Sequence, residues 1–222
     1  MNKPLLVKRE ALEEALENFL SNYEKVRQFL FIKVINQELN QEKLKDLVHK
    51  SHYEFAITCH IDVSHVLGVH ATIDITDRWA EALGVDPEWI IEDAITNSIT
   101  FRKPDLLRMS DFKHPLFPAT DSNIPMYVLT NKHRRNGASV VFYPGLLAAL
   151  SRSAKENLLL IPSSVHEFIF FFEDEWIDID EINSLIKSIN TEILDEKEVL
   201  SDQLYRYDRE KDEIRPVLNE EA

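Results

Sequence analysis

Glycine is scarce in this chain, with four in 222 residues: Gly68, Gly84, Gly137 and Gly145. A chain so poor in glycine holds no G-x-S-x-G nucleophile elbow, no phosphate-cradling loop and no dinucleotide fingerprint. Cysteine is scarcer still. Cys59 stands alone, so no internal disulfide forms, which fits a reducing cytoplasm. The C-x2-C and H-E-x-x-H spacings that hold zinc are missing. No window reaches the roughly 18 consecutive apolar residues that cross a bilayer. The opening "MNKPLLVKREALEE" turns charged too early for a signal peptide. A cytoplasmic protein without a membrane segment is expected. Positive charge is also in deficit, with 25 Lys and Arg against 39 Asp and Glu and a formal net charge of −14. That balance opposes nucleic-acid binding, because phosphate contacts need a basic field.

What is present is patterned. In "REALEEALENFLSNYEKVRQFLFIKVIN" the residues Leu12, Leu16, Phe19, Leu20, Tyr23 and Val26 recur at helical spacing, and no Gly or Pro interrupts Lys8 to Val48. A helical N-terminal segment over residues 1–50 is predicted, with Asn40 capping a second helix that carries His49 and His52 at its end. "EFAITCHIDV" and "HATIDIT" read as strands. "RWAEAL" reads as a short helix capped by Thr76 or Asp77 and stopped by Gly84, and "DPEWIIEDAITNSI" as a helix begun by Asp86 and Pro87. Residues 102–125 hold four of the nine prolines and read as a linker. "MYVLTN" and "ASVVFY" around "KHRRNG" read as a β-hairpin, followed by the helix "PGLLAALSRSA". The strands "NLLLIP" and "HEFIFFFE", the helix "DIDEINSLIKSIN" and the strand pair "QLYRYD" and "EIRPV" complete the chain. Strand, connection, strand and helix occur in that order at 55–83 and again at 126–150, an echo too short for a repeat array.

The expected class is α+β, a mostly antiparallel sheet flanked by helices with a helical N-terminal segment, because several strands are joined too briefly for parallel crossovers. The expected division is a helical segment 1–50, a first α+β unit 51–101, the linker 102–125, and a second α+β unit 126–222 sharing a core with the first.

Four residues are the candidates for catalysis. Ser164 and His166 in "IPSSVHEF" are two apart and share a side if extended, yet Pro162 and the two serines suit a turn between strands. Asp62 and Asp74 would meet across the first hairpin, where neighbouring carboxylates raise a pKa. Cys59, His60, His65 and His70 carry metal-ligand chemistry, but adjacent residues face opposite sides of a strand, so no metal and no cofactor are expected. The binding candidates are the basic tip Lys132, His133, Arg134 and Arg135, with Tyr205, Arg206 and Tyr207 joining it if adjacent. The acids Asp178, Asp180 and Glu181 are the alternative contact for a protein partner, and they also favour a helix start.

"IPMYVLTNKHRRNGASVVFYPGLLAALS", "LLLIPSSVHEFIFF" and "EVLSDQLYRYDRE" resemble an uncharacterised bacterial group, domain-of-unknown-function family 5688. "YEKVRQFLFIKVIN" and "HATIDITDRWAEALGV" extend the likeness from about Tyr23 to the C-terminus. The resemblance implies clostridial-type bacteria and frequent carriage on mobile elements, and no catalytic set. The expected role is non-enzymatic: an acidic protein that serves a mobile element, or blunts a host defence, by protein–protein contact. A homo-oligomer through Phe19, Phe29, Leu30 and Phe31 is the companion expectation. The alternative is a hydrolase or nuclease with an unrecognised carboxylate–histidine site.

Overall fold

The computed structural model describes residues 3–111, 125–174 and 177–217, with the side chains of 3–8 outside that description. The helices are α1 (Lys3–Leu20), α2 (Tyr23–Val26), α3 (Gln41–Leu44), α4 (Ser64–Leu67), α5 (Asp77–Leu83), α6 (Pro87–Phe101), α7 (Leu146–Ala154) and α8 (Ile179–Glu192). The strands are β1 (Leu30–Asn36), β2 (His49–His52), β3 (Phe55–Asp62), β4 (Thr72–Asp74), β5 (Pro104–Arg108), β6 (Tyr127–Asn131), β7 (Leu158–Ser164), β8 (Glu167–Phe172), β9 (Tyr205–Asp208) and β10 (Glu213–Pro216). The class is α+β with two antiparallel sheets. One sheet runs β1-β3-β2, with β4 joining β3; the other runs β10-β9-β7-β8-β6-β5.

The chain divides into two compact units. Unit 1 holds residues 1–32, 41–50 and 57–101; unit 2 holds 33–40, 51–56 and 102–222. The division therefore falls inside β1 and β3. Unit 1 is fixed partly by polar anchors. The Ser98 hydroxyl on α6 accepts the Ile32 N–H at 3.0 Å and donates to the Ala94 carbonyl at 2.7 Å. Thr76 accepts the Trp79 N–H at 3.2 Å to cap α5, and Gly84 ends that helix at φ 64.

Unit 2 buries its sheet on both faces. Leu159, Ile161, Ile169 and Phe171 meet Ile186 and Ile189 of α8 on one side. The alternate residues Leu158, Leu160, Phe168 and Phe170 are as deeply buried on the other. There Phe55 sits 4.6 Å from the Tyr205 ring and 5.8 Å from that of Phe168.

Several sequence expectations change. The helical pattern stops at Phe29, and Leu30–Asn36 is a strand: with Leu30, Phe31, Ile32 and Val34 all buried, the run is apolar on both faces and carries no period of its own. Asn40 is followed by a single turn, and His49 and His52 lie on β2. The linker holds β5, and residues 112–124 of it lie outside the described residues. "ASVVFY" is not a strand. Gly137–Phe142 forms a buried 3₁₀ helix, and β6 pairs instead with β5 and β8. The internal echo loses its second strand accordingly. Of Phe19, Phe29, Leu30 and Phe31, read as a self-association surface, Phe29 is part-buried and the other three are buried, with Leu12 an exposed apolar residue of α1.

Candidate functional site

The loop that leaves β6 is held at nearly every backbone position. Asn131, buried at its start, donates from Nδ2 to the Arg135 carbonyl (3.0 Å) and accepts the His133 N–H at Oδ1 (2.9 Å). The Arg134 N–H donates to the Asn131 carbonyl at 2.9 Å, and the Lys132 N–H to the Lys103 carbonyl at 2.9 Å. The Lys132 ammonium pairs with Asp105. Arg134 and Asn136 both adopt left-handed backbone, at φ 52 and 51. That conformation costs a residue such as arginine about 1–2 kcal/mol, whereas asparagine adopts it readily, so Arg134 persists there because its surroundings impose it. The imposing contacts are the Asn131 bonds and one from the neighbouring turn, in which the Asn136 N–H donates to His166 Nδ1 at 3.0 Å. The result is a fixed platform on which Arg134 and Arg135 stand exposed, with no ion pair among the described residues.

His166 is thus a structural acceptor. With Nδ1 occupied by Asn136, its proton sits on Nε2, 3.6 Å from Glu198 Oε1. The Ser164 hydroxyl, buried, accepts the His166 backbone N–H at 3.1 Å. Val165 and His166 form the two-residue turn between β7 and β8, and the Thr130 hydroxyl donates to the His166 carbonyl at 2.8 Å. Serine and imidazole do not form a nucleophile–base pair.

The carboxylates are separated by register. His60 pairs with Asp74 and Asp62 with Thr72, so Asp62 and Asp74 do not converge. Asp62 accepts the Ser64 N–H at 3.0 Å. Asp74 Oδ1 lies 2.8 Å from His60 Nδ1 and Oδ2 lies 2.7 Å from Lys43 Nζ, while Thr58 Oγ1 is 2.8 Å from His60 Nε2. This hydroxyl–imidazole–carboxylate series resembles a catalytic triad in outline, but Thr58 is 0% exposed and no substrate reaches its oxygen. Its role is to hold β3 against β4. His60 above all, then Lys43, keeps the Asp74 carboxyl well below its ordinary range despite partial burial. A depressed carboxyl stabilises the fold above its unfolded pKa, about 3.9, and loses that contribution as pH falls. Asp74→Asn is expected to lower the urea midpoint at pH 7 and to narrow its gap to the wild type at pH 3. A gap equal at both pH values would refute this assignment.

Burial pushes the Cys59 thiol up to about 12, so it stays protonated and packs as a small apolar group. Among the described residues no group of three His, Cys, Asp or Glu is placed to hold a metal ion.

The remaining binding candidates lie apart. Tyr205 and Tyr207 are buried, and Arg206 is part-buried against Glu173. In the sheet β9 is separated from β6 by β7 and β8, so "YRYD" does not adjoin the basic loop. Asp178 caps α8, accepting the Glu181 N–H at 3.0 Å, with Asp180 and Glu181 in the first turn. Nothing in the sequence pattern signalled a polar cleft of about 430 Å³ lined by Lys155, Glu156, Asn157, Glu173, Asp208, Arg209 and Glu210. Its central groups already engage one another: Asn157 donates to Glu173 and accepts the Arg209 N–H, and the Arg209 guanidinium reaches the Lys155 carbonyl.

A family model described only as a family of unknown function (DUF5688) matches residues 5–209. No curated protein and no solved structure matches the chain.

Proposed function

Because the chain belongs to the DUF5688 family, whose function is unknown, we propose its role from geometry: it works by protein–protein contact, presenting Arg134 and Arg135 to an acidic surface of a partner. The observation that supports this is the fixed loop itself, a strained Arg134 and a left-handed Asn136 held by Asn131 and His166 beneath two exposed arginines. A solvated loop has no need of such bracing. Preorganised guanidinium groups lose little entropy on meeting carboxylates and bind them in bidentate fashion. The net charge of −14 makes a polyanion the poorer partner. On a mobile element, the partner would be a host protein.

The test is affinity capture of the tagged protein from its native host, with mass spectrometry of what is retained. Arg134→Glu with Arg135→Glu should reduce a stoichiometric partner by about tenfold or more while the melting temperature holds. Asp180→Asn with Glu181→Gln, which leaves the Asp178 cap intact, tests the acidic alternative. Undiminished capture by the arginine variant would sink the reading.

A further inference from the structure

We infer that the outer edge of β5 is a strand-addition site for an extended acidic segment of the partner, an inference that rests on the contact reading above. The backbone pattern shows which groups are on offer. β5 pairs with β6 in the register Pro104↔Asn131 to Arg108↔Tyr127. The Lys132 N–H reaches the Lys103 carbonyl, and the Met109 N–H reaches the Met126 carbonyl. Hydrogen-bonded positions of an antiparallel pair alternate, so 103, 105, 107 and 109 face β6 while 104, 106 and 108 face outward. Leu106 and Arg108 therefore direct both N–H and C=O away from the sheet, and Pro104 directs a carbonyl. Among the described residues no strand pairs with that edge.

The opposite edge, β10, is closed by its own chemistry. The Val217 N–H bond to Leu204 sets Ile214 and Pro216 outward. Pro216 has no donor, and the Ile214 carbonyl is taken by His52 Nε2 at 2.9 Å.

Charge selects what β5 accepts. Lys103, Arg108, Lys132, Arg134 and Arg135 are exposed around it, and Asp105, paired with Lys132, is the acid among residues 103–108 and 132–135. The register places the arginine loop beside Pro104, with Arg108 at the far end of a strand about 17 Å long. Pairing with a second copy of β5 would bring cation against cation, which disfavours self-association by this edge. Leu106, 46% exposed between the charged ends, suits a β-branched neighbour. The fitting ligand is an extended segment with carboxylates at both ends and alternating β-branched residues between them, bound by backbone bonds along Leu106 to Arg108.

The probe is a synthetic peptide of about ten residues of that pattern, titrated into the full chain by calorimetry and by amide hydrogen exchange. Saturable binding with new protection at the Leu106 and Arg108 amides is expected. Leu106→Pro removes an outward donor without touching the β6 ladder, and should weaken both the peptide and the captured partner by about tenfold or more. If Leu106→Pro fails to fold, exchange at those two amides in the wild type decides. No saturable binding, or unchanged exchange, overturns the inference. If Arg134→Glu with Arg135→Glu abolishes capture while Leu106→Pro does not, the contact reading stands and strand addition fails. A duplex oligonucleotide that outcompetes the peptide, with Leu106→Pro indifferent, overturns it in favour of nucleic acid.

Discussion

Gly137→Ala is expected to destabilise unit 2 by more than about 3 kcal/mol. A methyl group at Gly137 would overlap the Thr130 hydroxyl and stand 2.5 Å from the His166 carbonyl oxygen and 2.8 Å from the Asn131 nitrogen. Two of these three neighbours are backbone, belonging to the strand end and the hairpin turn that brace the arginine loop. They cannot swing aside as a flexible side chain would. The whole approach of the 3₁₀ helix to β6 and β8 must open, with loss of the Asn136–His166 bond and of the burial of Ala138, Val140 and Val141. Chemical denaturation followed by circular dichroism measures the loss. Thr130→Ala in the same chain should recover only part of it, since the two backbone contacts remain. A single Gly137→Ala variant within about 1 kcal/mol of the wild type would show that the approach is looser than described.

Phe55→Ala should cost a similar amount, about 3–5 kcal/mol. Phe55 is 0% exposed, with the rings of Tyr205, Phe142 and Phe168 centred 4.6, 5.7 and 5.8 Å away. Removing the ring leaves a cavity among side chains of which Tyr205 and Phe168 are fixed by β-sheet, so the site collapses poorly. Amide hydrogen exchange would locate the damage. Protection should fall over residues 126–172, which share unit 2 with Phe55, and hold over α6 in unit 1. A uniform loss across both regions would argue that the two units do not respond separately.

The legible parts of the sequence were those governed by local chemistry. Thr76, Asp86 and Asp178 cap helices through their own side-chain oxygens, and each side chain accepts an N–H two or three residues ahead. "IPSSVHEF" does hold a turn, whose His166 N–H bonds Ser164, but the turn is Val165 and His166 alone, while Pro162 and both serines lie in β7. The illegible parts depend on distant partners. "LFIKVIN" is a strand because Ser98 and the sheet receive it from both sides, and an apolar run with both faces buried looks the same at either period. β5 lies among prolines, and only its pairing with β6 makes it a strand. The basic loop could be seen in composition, but its rigidity could not. Left-handed Arg134 is imposed by Asn131, and Asn136 is held by His166, thirty residues away, and neither residue type signals that contact in the chain. The same holds for Asp74, where a two-residue shift of the hairpin register decides whether it faces Asp62 or His60.

The division of β1 and β3 between the units sets an order on how the protein can be made. Segments 33–40 and 51–56 leave the ribosome before most of unit 1, yet the residues that bury them, among them Phe142, Phe168 and Tyr205 around Phe55, are translated last. At the midpoint of synthesis the nascent chain therefore carries an apolar strand whose cover does not yet exist. A gene cut at the proline-rich stretch would leave segments 33–40 and 51–56 on one fragment and the residues 126–222 that complete unit 2 on the other.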